Sequence, residues 1–356
     1  MEITQHKGAS ECINGVTDIL GDVDELCDVE AIRRIGVRER AFDLTSWIPR
    51  VFTKTIRECT LEDLDPKDNL YKGPCVASHD FARGAWLSGL QDDEIYGVNP
   101  FEMGVIGSTD THVGTSGNTT EHSYPGHIGH ETTLEARLGE SGLGRYNKLQ
   151  GNPGGLAGVW AVENSRDALF QSMKRREAFA TSGTRIAPRF FSGQYRDDLC
   201  QQTGFLETAY KDGVPMGARL PAGIEGLSFL GQAVRDPAGS AMPLQELQII
   251  KGWLDDSGRK QSRVVTIAKA ETGEGAGQLC AVYTDPEYDP FQQAYYYLRV
   301  VEQPSLRWSS AQCGELAEDT RPDACVNEAP EQVSEFAWTS PIWITPADAP
   351  PLPVIR

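Results

Sequence analysis

Six short strand-like runs follow one another between about residues 186 and 302, and nothing else in the chain narrows its fold as much. They are RFFSG, GLSFLGQAV, LQELQIIKGWL, SRVVTIAKA, LCAVYT and AYYYLRVVE, and Asp, Pro and Gly punctuate them, as in TDPEYDP. Evenly spaced short strands bounded by turn residues are the pattern of an antiparallel β-sandwich. The 36 glycines and 21 prolines of the 356-residue chain imply many turns, as such a fold needs. The tail PADAPPLPVIR is proline-rich and reads as extended.

Upstream of these runs the character differs. Glu2 to Gln5 reads as a strand, and acidic, turn-rich chain follows to about Asp68. SHDFARGAWLSGL reads as a helix with Ser78 as N-cap and an apolar stripe of Phe81, Trp86 and Leu90. FEMGVIGSTDTHVG is an apolar run ending in polar residues, the look of a buried parallel strand that delivers side chains to a site at its C-terminal end. A long loop then runs from roughly Gly114 to Gly155, rich in Gly, Thr and His. NSRDALFQSMKRREAFATSG reads as a helix capped by Asn164 or Ser165. Its Leu169, Phe170 and Met173 are expected to face inward, with Arg175 and Arg176 in the last turn.

Charge and hydropathy exclude several functions. The formal net charge of -18, from 51 acidic and 33 basic residues, repels phosphate backbones and anionic lipid, so neither nucleic acid nor membrane is an expected partner. No apolar stretch of roughly 18 residues exists to span a bilayer, and MEITQHKGASEC has no signal-peptide pattern. The eight cysteines show no CxxC pair. Cys313 and Cys325 lie close enough in a loop-rich stretch to bridge, and reduced, buried thiols are the alternative, so the compartment stays open.

The sharpest chemical feature is Asp110-x-His112. On a strand, residues two apart share a face, and a carboxylate with an imidazole suits Zn, Mn or Fe. Such a triplet also arises by chance as a strand cap. The loop beyond it holds His122, His127 and His130 beside Glu121, and the preferred reading is a polar lid over a pocket, with substrate contacts rather than metal ligands. His6 shares a strand face with Glu2 and Thr4 and could line the same pocket or equally be a surface or core-edge histidine, whereas His79 reads as structural. The turn ATSGTRI could form an amide nest, with Arg185 holding an anionic oxygen, or could simply turn the chain into the sandwich. There is no GxSxG elbow and no P-loop, so Ser/His/Asp hydrolysis and nucleotide triphosphatase chemistry have no support.

Four segments resemble one bacterial family, the domain of unknown function 3604 group: EITQHKGASEC, GVNPFEMGVIGSTDTH, GVWAVENSRDALFQSMKRREAFATSGTRIAPRFF, and AYYYLRVVEQPSLRWSSAQC with FAWTSPIWITP. That family resembles the PHP (polymerase and histidinol phosphatase) superfamily of metal-dependent phosphoesterases. The resemblance implies an α/β plus β fold, with residues 1–185 as the C-terminal portion of a distorted (β/α)7 barrel, 186–345 as the sandwich and 346–356 as the tail. It implies Asp110 and His112 as ligands of one or more divalent ions, and a small anionic substrate such as a phosphoester. PHP proteins open with a His-x-His strand that this chain lacks, so the resemblance also implies either a fragment missing its N-terminal half or a partner chain that completes it, with inactivity of the fragment alone. The compartment stays unknown, export of an intact parent to the periplasm being one expectation. The rival expectation is a non-catalytic binding or structural module built on the sandwich.

Overall fold

In the computed structural model, the strand Ala294–Glu302 is buried along its whole length, and the molecule is layered around it. The structure describes residues 1–43, 50–68, 70–129, 131, 133–138, 149, 151–220, 224–239, 241–271, 273–322, 325 and 331–346. Side chains alternate across a strand, and here both faces are covered. Ala294, Tyr296, Leu298 and Val300 enter one core with Phe190, Phe229 and Leu247. Tyr295, Tyr297 and Val301 enter a second core with Trp86, Leu87 and Leu90 of the helix Ala82–Tyr96.

The six runs of the sequence are all strands, three to a sheet. Ala187–Gly193, Ser228–Val234 and Gln278–Thr284, with Gly213–Pro215, make a four-stranded antiparallel sheet. Leu244–Leu254, Lys260–Lys269 and Ala294–Glu302 form the middle of a nine-stranded sheet packed against it. That larger sheet also takes in Leu156–Val159, Ala178–Thr181 and Phe336–Thr339, so it runs continuously across residue 185. Gly252 sits opposite Tyr295, where an added Cβ would lie 2.2 Å from the tyrosine ring, so a side chain there would break the ladder.

On its odd-numbered face the strand Ala294–Glu302 also carries Arg299, which is fully buried. Its guanidinium donates to Glu11 at 3.1 Å and to Asp24 at 2.9 Å, and Arg83 donates to the same two carboxylates at 2.8 and 2.6 Å. Two buried cations are thus balanced by two buried anions, the condition under which charges tolerate an interior. All eight cysteines are bridged, as Cys12–Cys27, Cys59–Cys75, Cys200–Cys280 and the expected Cys313–Cys325.

Several local expectations change. Ser78 opens a short 3-10 turn, Ser78–Asp80, and Phe81 occupies the N-cap of the helix that follows. The second helix is confined to Arg166–Lys174, with Ser165 as its cap, because Ala178–Thr181 is drawn into the sheet between two strands distant in sequence. Phe170 and Met173 are each 56% exposed and face solvent rather than core. Among the described residues the strands close no barrel, and the fold is mixed and mostly β. Among the described residues no helix is long and apolar enough to cross a membrane. The tail beyond residue 346 lies outside the described residues.

The N-terminal strand Glu2–Gln5 positions the site. It pairs in parallel with Ile106–Gly107 and antiparallel with Gly8–Ala9, in a three-stranded sheet that lies against the larger one. The chain leaving the parallel pair at its C-terminal end carries Asp110 and His112, and the turn leaving Glu2–Gln5 carries His6 and Lys7. Ligands of parallel sheets gather at that end of the strands.

Candidate metal centre

Asp110 and His112 lie just beyond the two-residue strand Ile106–Gly107 rather than on it. Asp110 and His112 therefore do not come together by sharing a strand face. Asp110 instead adopts φ 51, in the left-handed region that non-glycine residues rarely enter. Such a conformation persists only where the surroundings hold it, and it is frequent at functional sites. Here the neighbouring backbone is clamped. His6 N donates to Thr109 O at 3.1 Å, Ser108 N donates to Thr4 O at 3.0 Å, and Gly155 N donates to Ser108 O at 2.8 Å.

His127 completes the constellation. His112 N donates to the His127 carbonyl at 3.0 Å, and a parallel bridge joins His112 to Ile128. This brings the two imidazoles to 4.5 Å between centroids. The turn carrying His127 is fastened by Glu131, whose carboxylate accepts from His127 N at 2.6 Å and Ile128 N at 3.3 Å. Asp110, His112 and His127 each offer a ligand atom, and these atoms all lie within 4.8 Å of one another.

His6 stands behind His127, wholly buried, with the two Nδ1 atoms 3.2 Å apart. Its ring meets Tyr124 edge-on at 5.3 Å. Burial, and next the neighbouring His127, push His6 down to about 4, so it is a neutral imidazole at neutral pH. Burial, with His112 and Lys7 alongside, also pushes His127 down. The His6 contact places an outer partner at Nδ1 of His127, as is common around metal-bound histidine.

Lys7 donates to the Asp110 carboxylate and ion-pairs with it. This hydrogen bond holds Asp110 below the usual carboxylate range. Beside Asp110 opens a groove of about 400 Å³ lined by Ser108, Thr109, Thr111, Ser116 and Leu156 among others, and no Lys or Arg is among its described lining residues.

The other sequence candidates lie elsewhere. Glu121 accepts from Trp308 N, and burial, with Glu335 and Glu30 nearby, raises it well above the usual carboxylate range. His122 is exposed on the 3-10 turn Glu121–Ser123. His130 lies outside the described residues. The Arg185 side chain is exposed, and its backbone N–H donates to Asp236 at 2.7 Å, so the turn there is occupied by a carboxylate of the protein itself. His79 packs beside Tyr71 at 5.8 Å. The sequence alone does not place Lys7 or Glu131 at this site, nor His127 beside Asp110 and His112. The one local signal was the density of histidines in the loop.

The residues fit a divalent ion. One carboxylate and two imidazoles are the donors that Zn, Mn and Fe prefer, and three protein ligands leave coordination positions for water and substrate. A second group, Cys12, Asp24 and Cys27, lines a cavity of about 230 Å³. Its sulfurs are joined to each other and its Asp24 is held by Arg83 and Arg299, so it presents no comparable donor set.

No curated protein and no solved structure matches the chain. A family profile described as "Protein of unknown function (DUF3604)" matches residues 56–274 and 268–346, spanning both Asp110 and the strands of the sandwich. The chain belongs to the DUF3604 family.

Proposed function

We propose that this protein is a metal-dependent hydrolase acting on small anionic esters, with phosphoesters as the substrate class. The observation that carries the reading is the convergence of Asp110, His112 and His127 within 4.8 Å at the C-terminal end of a parallel strand pair. The resemblance of the Asp-x-His segment to that of the PHP superfamily supports it. On this reading the parallel pair is the part of a PHP-like barrel whose strand ends carry the ion. Zn, Mn or Fe, when bound, would polarise a phosphoryl oxygen and acidify a water.

The protein's own residues have separable tasks. Asp110 supplies the one anionic ligand, and its held φ of 51 aims the carboxylate. His127 is seated by Glu131 and backed by neutral His6, which keeps its ring in place. The hydroxyl-lined groove beside Asp110 accommodates the body of the substrate.

Metal content and hydrolysis of p-nitrophenyl phosphate should be measured for the wild type and for Asp110→Ala, His112→Ala and His127→Ala. The reading expects near-stoichiometric metal in the wild type, with metal and activity lost together in each variant. Metal binding that survives all three substitutions would sink it and favour a binding module built on the sandwich.

A further inference from the structure

We propose that Lys7 is the anion-anchoring residue of this site, held in reserve by Asp110 until a divalent ion takes over that carboxylate. The inference rests on the metal-site reading above. Lys7 sits at the tip of the turn between Gln5 and Gly8, and its backbone is firmly placed. Its N–H donates to Gln5 Oε1 at 3.0 Å, and His6 before it is fully buried. Gly8 after it has φ 129, and a Cβ there would meet the Ile32 backbone at 2.6 Å. The side chain is 41% exposed, and its ammonium contacts Asp110.

A divalent ion and that ammonium compete for one carboxylate. Like charges a few ångströms apart repel, and the ion gains two imidazoles that the ammonium cannot use. Ion binding therefore expels the Lys7 head group, and its flexible four-carbon stem carries the charge a short way outward. The groove beside Asp110 offers hydroxyls and backbone but no Lys or Arg among its described lining. Arg185, the cation expected from the sequence, gives its backbone N–H to Asp236. Lys7, in contact with Asp110 beside that groove, is thus the cation available to an entering phosphoryl oxygen, and lysine serves as a point charge for phosphate. Metal and anion then bind cooperatively, because the first releases the group that holds the second.

Titration calorimetry of the full chain tests this, with Mn²⁺ first and inorganic phosphate second, on the wild type, Lys7→Met, Lys7→Arg and Asp110→Ala. Lys7→Met is expected to bind Mn²⁺ about tenfold more tightly, since a competitor is gone, and its Mn²⁺-loaded form to bind phosphate about tenfold more weakly. Lys7→Arg should restore phosphate affinity. Thermal melts of the variants exclude a folding defect. If wild type binds Mn²⁺, Asp110→Ala does not, and Lys7→Met matches wild type in both titrations, the metal site stands and the role of Lys7 is overturned. If wild type takes up no Mn²⁺, the metal-site reading itself fails and this inference with it.

Discussion

Glu302 and Glu335 stand opposite one another at the end of the ladder between the strands Ala294–Glu302 and Phe336–Thr339, with Glu302 N donating to the Glu335 carbonyl at 2.9 Å. Both are buried, at 1% and 6% exposure. Like charges directly across a ladder are unfavourable, and burial penalises ionisation further.

The pair makes stability depend on pH. Burial, and next the facing carboxylate, push Glu302 up to about 8, and burial with Glu30 nearby pushes Glu335 up to about 7, against 4.5 for an ordinary glutamate. Between about 4.5 and about 8 the folded protein retains protons that the unfolded chain has released. Stability therefore falls as pH rises through that window and levels off above it. Urea denaturation at several pH values should show this fall, and Glu302→Gln should flatten it. An unchanged slope in the variant would show that the pair keeps no such proton.

On the proposed metal-site reading, His6 would act on the ion through His127. His6→Phe keeps a ring of similar bulk but removes the nitrogen 3.2 Å from His127 Nδ1. Metal affinity is expected to fall about tenfold, within the range seen when a ligand's outer partner is removed. His127→Ala, which deletes a proposed ligand, should cost more than His6→Phe. Equal losses in the two variants, measured by competition with a chelating dye, would count against this division of roles.

Arg299 contributes through charge balance. Replacing it with Met leaves Glu11 and Asp24 buried with Arg83 as the cation still paired with both. Breaking a buried pair from one side costs about 3–5 kcal/mol, because the stranded charge cannot be rehydrated. The denaturation midpoint of Arg299→Met should drop accordingly. A loss under about 1 kcal/mol would mean that water reaches the carboxylates in the folded state.

Much of the fold was legible locally. The six strands from Ala187 to Glu302 were readable because each is a short run bounded by turn residues, and Ser165 was readable as a cap because capping involves only neighbours in sequence. The helix after Ser165 was read too long, since AFAT is helix-compatible in isolation and becomes a strand through its partners Leu156–Val159 and Phe336–Thr339. Phe170 and Met173 followed the same error, their inward face having been inferred from spacing alone.

At the site, sequence by itself determined which donors are present, because Asp110, His112 and the histidine-dense loop are matters of residue type. Which of those donors meet was decided by tertiary structure. His127 comes to His112 through a bridge closed by a loop of fourteen intervening residues, between positions 112 and 127. Lys7 and His6 come to Asp110 through parallel pairing of strands about a hundred residues apart. Hydrogen bonds of that range belong to no local pattern. They form only when the sheets and the helix Ala82–Tyr96 bury their apolar faces together, and that burial sets the positions of the turns that carry the chemistry.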